Sequence, residues 1–225
     1  EQELGWEFIQ IYGLTETSPY LTGNFVSHGT AQDDYDRRSR VGVPGLGVDI
    51  VLLDDDGKKV PRDNATVGEI CARSNVVFEG YWEQPEETEK AIRDGYFHTG
   101  DLAIWDEDGN VSIVDRKKDV IISGGENISS AEVEDALYQH HAVLECAVVA
   151  VPHEKWGERP KAFATLKDGA AASEEDIIDF CRQHLAHFKC PDAVEFGPLP
   201  KTSTGKVQKY VLREKEWRGR DSRIN

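Results

Sequence analysis

The sequence predicts an α+β protein in two parts: a β-rich, barrel-like antiparallel half, then a smaller α+β domain. Two rhythms carry that reading. From Val41 to Val114, short runs such as "VDIVLL", "EICAR" and "VSIVD" recur about every ten to fifteen residues, the spacing of antiparallel strands in a sheet or barrel. After Arg116 the order becomes strand, helix, strands, helix and short strand. The change falls in "DRKKD", Asp115 to Asp119, which has no glycine or serine run and reads as a short hinge.

In the first half, "FIQIY" is an apolar strand running into "YGLTET", Tyr12 to Thr17. "GVPGLG", Gly42 to Gly47, lacks the GxGxxG spacing and reads as a bend between strands. "LDDDGKK" and "DEDGNV" carry Asp-Gly, a hairpin-turn signal. A helix starts at Pro85 and runs through "EETEKAIRD", with proline in its first turn and acids near the positive end of its dipole. In the second half, Ser129 and Glu132 form a capping-box pair opening a helix whose Val133, Ala136, Leu137 and His140 share a face. "CAVVAV" and "KAFATL" are strands, and a helix from about Ser173 buries Ile177, Phe180, Cys181, Leu185 and Phe188 before stopping at Pro191.

Composition narrows the function. With 42 acidic against 26 basic residues, the formal net charge of −16 repels phosphate backbones and anionic membranes, so nucleic acid is excluded as an expected partner. An acidic excess of this size also fits a high-salt habitat, in which case melting temperature rises from low to molar salt. No apolar run approaches the roughly 20 residues that span a bilayer, and no basic start with an apolar core marks a signal peptide; the expected location is cytoplasmic. Cys71, Cys146, Cys181 and Cys190 have no CxxC pair and read as reduced thiols. The Cys181, His184, His187 and Cys190 series walks around a helix axis and cannot converge on one tetrahedral ion. The absence of methionine suggests that the sequence opens inside a longer chain.

Several segments offer chemistry. Asp101, after a Thr-Gly turn in "YFHTGDLAIW", can accept two hydrogen bonds from a vicinal diol such as a ribose, or bond its own backbone. Arg116 can donate to the same sugar or a phosphate, or serve as a surface ion-pair partner. "PLPKTSTGKVQK" fails as a phosphate loop because Pro200 takes the first glycine position and Val207 the metal-binding hydroxyl position. It leaves Lys206 on a hydroxyl-rich loop, either solvated or a mobile catalytic cation. In "DVIISGGENISS" the glycine pair makes either a tight turn or a close approach to a ligand.

In this order, "YGLTET", "YFHTGDLA", "DRKKDVIISGGENISSAEVE" and "LPKTSTGKVQK" resemble the adenylate-forming superfamily, and within it the acyl-CoA synthetases. "WGERPKAF" and "HFKCP" look most like short- and medium-chain fatty acid ligases. The resemblance implies that residues 1–117 are the C-terminal portion of the large AMP-binding domain and 118–225 the small C-terminal lid domain. It implies ATP, magnesium and coenzyme A as cofactors or substrates, and a carboxylic acid converted to an acyl-adenylate and then a thioester. Tyr12 and Gly13 would line the adenine and acyl pocket, Thr15 would contact phosphate and Glu16 would help hold Mg²⁺. Asp101, assisted by Arg116, would bind the ribose, and Lys206 would be catalytic at the α-phosphate. Lys118 would be the hinge, Gly124, Gly125 and Glu126 would flank the pantetheine arm, and Trp156 and Phe188 would stack on the coenzyme A adenine. Cys190 and Asp192 stand where relatives carry basic residues for the coenzyme phosphates. The phosphate loop and most of the acyl pocket are expected upstream of Glu1, so the chain alone is expected to be inactive. The alternatives are an adenylation domain loading a carrier protein, a luciferase-like oxidative enzyme, and a non-catalytic interaction module that self-associates through exposed apolar surface.

Overall fold

A computed structural model of the protein describes residues 8–25 and 35–219. The chain divides into two compact units, Glu1–Lys117 and Lys118–Asn225. No helix among the described residues is long and apolar enough to cross a membrane.

The first unit holds two antiparallel sheets. Strands β1 (Gln10–Tyr12), β2 (Thr22–Asn24) and β3 (Val43–Pro44) form the smaller, in that order, with the short helix α1 (Tyr35–Ser39) between β2 and β3. "GVPGLG" is therefore partly strand: its Val43 pairs with Gly23 before the chain turns. The larger sheet is built from β4 (Asp49–Leu53), β5 (Gly68–Arg73), β6 (Ile92–Arg93), β7 (Tyr96–Trp105) and β8 (Val111–Arg116). Its order is β4-β5-β7-β6, with β8 also on β7. Alternation assigns the two faces of β5. Ile70 and Ala72 lie opposite Leu52 and Ile50 and join them in a core with Tyr12 and Leu21, while Glu69 and Cys71 point the other way, toward His98. Helix α2 (Pro85–Ala91) begins at its proline, as the sequence predicts, but stops at Ala91 and does not run through Asp94, because Ile92 and Arg93 pair with Phe97 and Tyr96 as β6.

One expectation changes here. Thr99 and Gly100 are not a turn, because β7 continues through them. The register with β5 jumps from Glu69↔Leu102 to Cys71↔His98, which makes this stretch a bulge. Gly100 sits there at φ 75°, a left-handed conformation suited to glycine.

The second unit contains β9 (Ile121–Ser123), β10 (Glu126–Ile128), α3 (Ser130–Tyr138), β11 (Val143–His153), β12 (Gly157–Leu166), α4 (Glu174–His184), β13 (Ala193–Phe196) and α5 (Lys209–Glu216). The sheet order is β10-β9-β12-β11, and β13 runs parallel against β12. "CAVVAV" is apolar without interruption because β11 is covered on both faces. Cys146, Val148 and Ala150 pack in the core with α3 and α4 residues, whereas Ala147 and Val149 pack with Leu212 of α5.

Ser129 caps α3 by accepting from the Glu132 amide at 3.2 Å, but the Glu132 carboxylate is engaged by Lys189 at 2.6 Å. A full capping box appears instead at α4, where Ser173 and Asp176 exchange hydrogen bonds. Phe188 lies beyond α4 and is 42% exposed, not buried, because the chain leaves the helix at Leu185 and passes into a 3-10 turn. Cys181 and Cys190 are core residues, while His184 stacks on Phe180 with ring centroids 4.1 Å apart. Helix α5 is an element that sequence patterning does not anticipate.

Candidate active site

The candidate residues form one group in the first unit and two in the second. In the first, β7 and β8 pair so that Asp101 lies directly opposite Arg116, which explains how residues fifteen positions apart come together. Arg116 Nε stands 3.2 Å from Asp101 Oδ1. The Tyr12 hydroxyl donates to Asp101 Oδ2 at 2.7 Å, linking the end of β1 to β7. Burial, and then the neighbouring Asp101 carboxylate, push the Tyr12 hydroxyl well above the ordinary phenol range. Asp101 is only 5% exposed, and its own amide donates to Thr99 Oγ1 at 3.1 Å. Two partners thus fix this carboxylate, and a carboxylate's roughly four lone-pair sites leave capacity for a further donor.

Around Tyr12 the backbone folds tightly. A Cβ on Gly13 would come within 1.6 Å of the Pro19 carbonyl oxygen, so close chain packing alone demands glycine. Thr15 is exposed. Thr17, which the sequence reading does not single out, is fully buried, accepting from the Leu14 amide at 2.8 Å and donating to the Leu14 carbonyl at 3.0 Å. It locks the turn that presents Thr15 and Glu16. The half-buried Glu16 takes a 3.0 Å hydrogen bond from the Tyr81 hydroxyl on Oε1, and its second oxygen has no partner among the described residues. A hard carboxylate with one unengaged oxygen fits a role as a single Mg²⁺ ligand, the remaining positions falling to phosphate and water.

In the second unit, Gly124 and Gly125 are the two loop residues of the β9–β10 hairpin, between the paired Ser123 and Glu126. Their φ values of 61° and 90° are those a two-residue primed turn requires, so geometry alone accounts for both glycines. Their surroundings differ. A Cβ on Gly124 would meet the Trp156 ring at 2.8 Å, whereas nothing lies within 4 Å of one on Gly125. The Gly124 amide also donates to the Trp156 carbonyl at 2.8 Å. Trp156 is 44% exposed and carries the Lys155 ammonium 4.2 Å from its ring centroid. Glu126 is exposed.

Arg159, which the sequence reading passes over, organises this end of the sheet. Its largely buried guanidinium donates to the Phe188 carbonyl at 2.5 Å, to both Asp192 carboxylate oxygens at 2.9 and 2.7 Å, and to Ser123 Oγ at 3.4 Å. Asp192 is therefore the internal partner of a cation. Its signal in the sequence was only "WGERP" beside "KCPD", two segments that pairing of β12 with β13 brings together.

Lys206 occupies the opposite end. Lys201 and Val207 bridge to make a small hairpin after β13, and Lys201 Nζ reaches Glu145 Oε1 at 2.5 Å. Glu145 pairs with Thr165, near the far end of β12, whereas Trp156 and the glycine hairpin adjoin Gly157 at its start. At about 3.3 Å per residue these two ends of the strand are roughly 26 Å apart. Lys206 is exposed; its amide donates to Thr202 Oγ1 at 3.1 Å, and its ammonium has no hydrogen bond or ion pair among the described residues. Lys118, the expected hinge, is exposed at the start of the second unit.

Comparison with known proteins identifies the class. The AMP-binding enzyme family matches residues 1–82, and the AMP-binding enzyme C-terminal domain matches residues 132–206. The chain belongs to the AMP-binding, adenylate-forming enzyme superfamily. It is 43% identical over 216 residues to 4-hydroxybutyrate–CoA ligase 2 of Metallosphaera sedula, a match covering 94% of this chain and 39% of the relative. It is 55% identical over 163 residues to acetate–CoA ligase CCL3 of Humulus lupulus, covering 70% of this chain and 29% of that protein. Among solved structures, ATP-bound MatB from Rhodopseudomonas palustris aligns with a TM-score of 0.84 at 37% identity, over 96% of this chain and 41% of the other. The chain thus spans about two-fifths or less of the length of these relatives.

Proposed function

We propose that this chain supplies the ribose-binding edge and the lid of an AMP-forming acid–CoA ligase acting on a short-chain carboxylic acid. Residues 1–117 would be the closing part of the large domain and 118–225 the small domain. The observation that carries the reading is the separation of the Lys206 loop and the Gly124–Gly125 hairpin at opposite ends of β12. Two segments that far apart on one sheet cannot serve one reaction centre in a single orientation, which fits a two-step reaction in which the small domain turns between steps.

In the first step a carboxylate oxygen bonds to the α-phosphorus of ATP as the bond to pyrophosphate breaks. Asp101, preset by Tyr12 and Arg116, holds the ribose hydroxyls, and the Lys206 ammonium offsets charge on the α-phosphate. Mg²⁺, when bound, neutralises phosphate charge, and Glu16 is the residue here that would hold it. In the second step the coenzyme A sulfur bonds to the acyl carbon and AMP leaves. The unobstructed side of Gly125 admits an extended arm, while Trp156 and Phe188, both partly exposed near the start of β12, offer aromatic surface to its adenine.

Pyrophosphate exchange into ATP by the full-length enzyme, with acetate, butyrate and 4-hydroxybutyrate, tests this reading. Acid-dependent exchange followed by thioester formation with free coenzyme A is expected. Exchange with none of a broad panel of carboxylic acids contradicts it, and transfer only to a carrier-protein thiol reassigns the acceptor.

A further inference from the structure

Glu69 belongs to no motif the sequence singles out, yet it is 8% exposed and its two carboxylate oxygens serve different segments. Oε1 accepts the Gly100 amide at 3.1 Å, so it satisfies the donor that the β7 bulge turns out of the ladder just before Asp101. Oε2 lies 3.3 Å from His98 Nδ1 of β7, 3.5 Å from Lys117 Nζ and 4.0 Å from Arg93. Lys117 is also held by Asp55 at 2.8 Å. Burial works against its charge, but the Asp55 hydrogen bond and the Glu69 charge outweigh that and raise its pKa above the ordinary lysine value. Two residues further on, the buried Asp119 is engaged by Arg213 of α5 within the second unit. Each unit therefore clamps its own side of Lys118.

The nearby Glu69, Cys71 and His98 atoms lie within 4.8 Å of one another, in the manner of metal ligands. Their capacity is already used. Arg93 can only donate, so its 2.8 Å contact takes the His98 Nδ1 lone pair, and Lys117 and Arg93 already compensate Glu69. Burial, then the charge on Glu69, also pushes the Cys71 thiol up to about 12, away from the thiolate that binds metals. The cluster is a charge-balanced support.

We propose that Glu69 is a positioning residue for both half-reactions: through Gly100 it sets the Asp101 carboxylate for nucleotide, and through Lys117 it fixes the chain ahead of the hinge, so that rotation is confined to Lys118. The proposal rests on the ligase reading above, specifically on Asp101 as ribose ligand and Lys118 as pivot. It predicts that substitutions at one residue separate into two kinetic effects according to which oxygen is affected.

The test measures ATP KM and kcat for pyrophosphate exchange, and separately the rate of thioester formation from supplied acyl-adenylate and coenzyme A, in the full-length enzyme. Glu69→Gln keeps an acceptor for Gly100 but removes the charge facing Lys117. It is expected to leave the ATP KM within about twofold while slowing thioester formation about tenfold, a loss that Lys117→Met reproduces. Glu69→Ala removes both functions and is expected to raise the ATP KM about tenfold as well. Equal effects of Gln and Ala on both steps, or normal thioester formation in Lys117→Met, would overturn the proposal. Should Glu69→Ala fail to fold, the Glu69→Gln and Lys117→Met pair decides alone. Asp101→Ala keeps the two readings apart: an unchanged ATP KM there refutes the nucleotide assignment itself, whereas a raised KM there with a normal thioester rate in Glu69→Gln refutes only the role of Glu69.

Discussion

Asp101 and Lys206 are held in opposite ways. The aspartate is almost wholly buried, bridged by a tyrosine from β1 and an arginine from β8, and underpinned by a bulge whose freed amide is capped by Glu69. The lysine stands on an exposed hairpin, fixed through its backbone and through Lys201 but with its own ammonium uncommitted among the described residues. A carboxylate that must recognise a rigid diol gains from being placed before the ligand arrives, because little ordering cost is left at binding. A cation needed in one step only gains from having no internal partner to leave. The contrast teaches that binding and catalysis draw here on different degrees of preorganisation, and it can be broken in a graded series of experiments.

The largest effect is expected at the held residue. Asp101→Ala strands the buried Tyr12 hydroxyl, which should cost about 1–3 kcal/mol of stability as well as nucleotide affinity. Denaturant unfolding of the variant checks the first, and the ATP KM of the full-length enzyme the second. Lys206→Ala, by contrast, should leave the unfolding midpoint unchanged, because no internal contact of the ammonium is lost. If the two substitutions destabilise equally, the contrast between them is wrong.

Smaller effects separate the two glycines. Gly124→Ala meets both a positive φ and the Trp156 ring, whereas Gly125→Ala meets the positive φ alone. Each left-handed alanine should cost about 1 kcal/mol, with an added penalty at Gly124 for displacing the indole. Unfolding measurements should rank Gly124→Ala as the worse of the two, and Trp156 fluorescence should shift only in that variant. Equal costs would mean that Trp156 does not pack on the hairpin as described.

The smallest effect is a drift of stability with alkaline pH. Burial pushes the thiols of Cys71, Cys146 and Cys181 from the ordinary 9.0 up to about 12. Thiols of the unfolded chain ionise first, so this contribution is complete below pH 9 and lost as pH rises from 9 through about 12. Denaturation curves at stepwise higher pH should show constant stability up to about pH 9 and a decline above it; constant stability to pH 11 would contradict the burial of these thiols.

Much of the frame is legible in the chain itself. "CAVVAV" reads as a strand, and its lack of alternation has its cause in the helices on both faces. Pro85 and Ser173 start the helices their chemistry suits. What stays hidden depends on pairing between distant segments. Thr99-Gly100 resembles a turn because nothing local reveals that β5 continues to pair on both sides of it. The Tyr12 bond to Asp101 spans 89 residues, and Arg159 finds Asp192 only once β13 lies beside β12. Helix α5 escapes notice because it is eight residues long and buries only Leu212 and Arg213, the latter through its pairing with Asp119.

The most direct test of the two-ended second unit is the ratio of half-reaction rates in full-length Lys206→Ala. Pyrophosphate exchange should fall about a hundredfold or more, while thioester formation from supplied acyl-adenylate and coenzyme A stays within about threefold of the parent. Equal loss in both steps would mean that the lysine loop and the glycine hairpin do not divide the reaction between them.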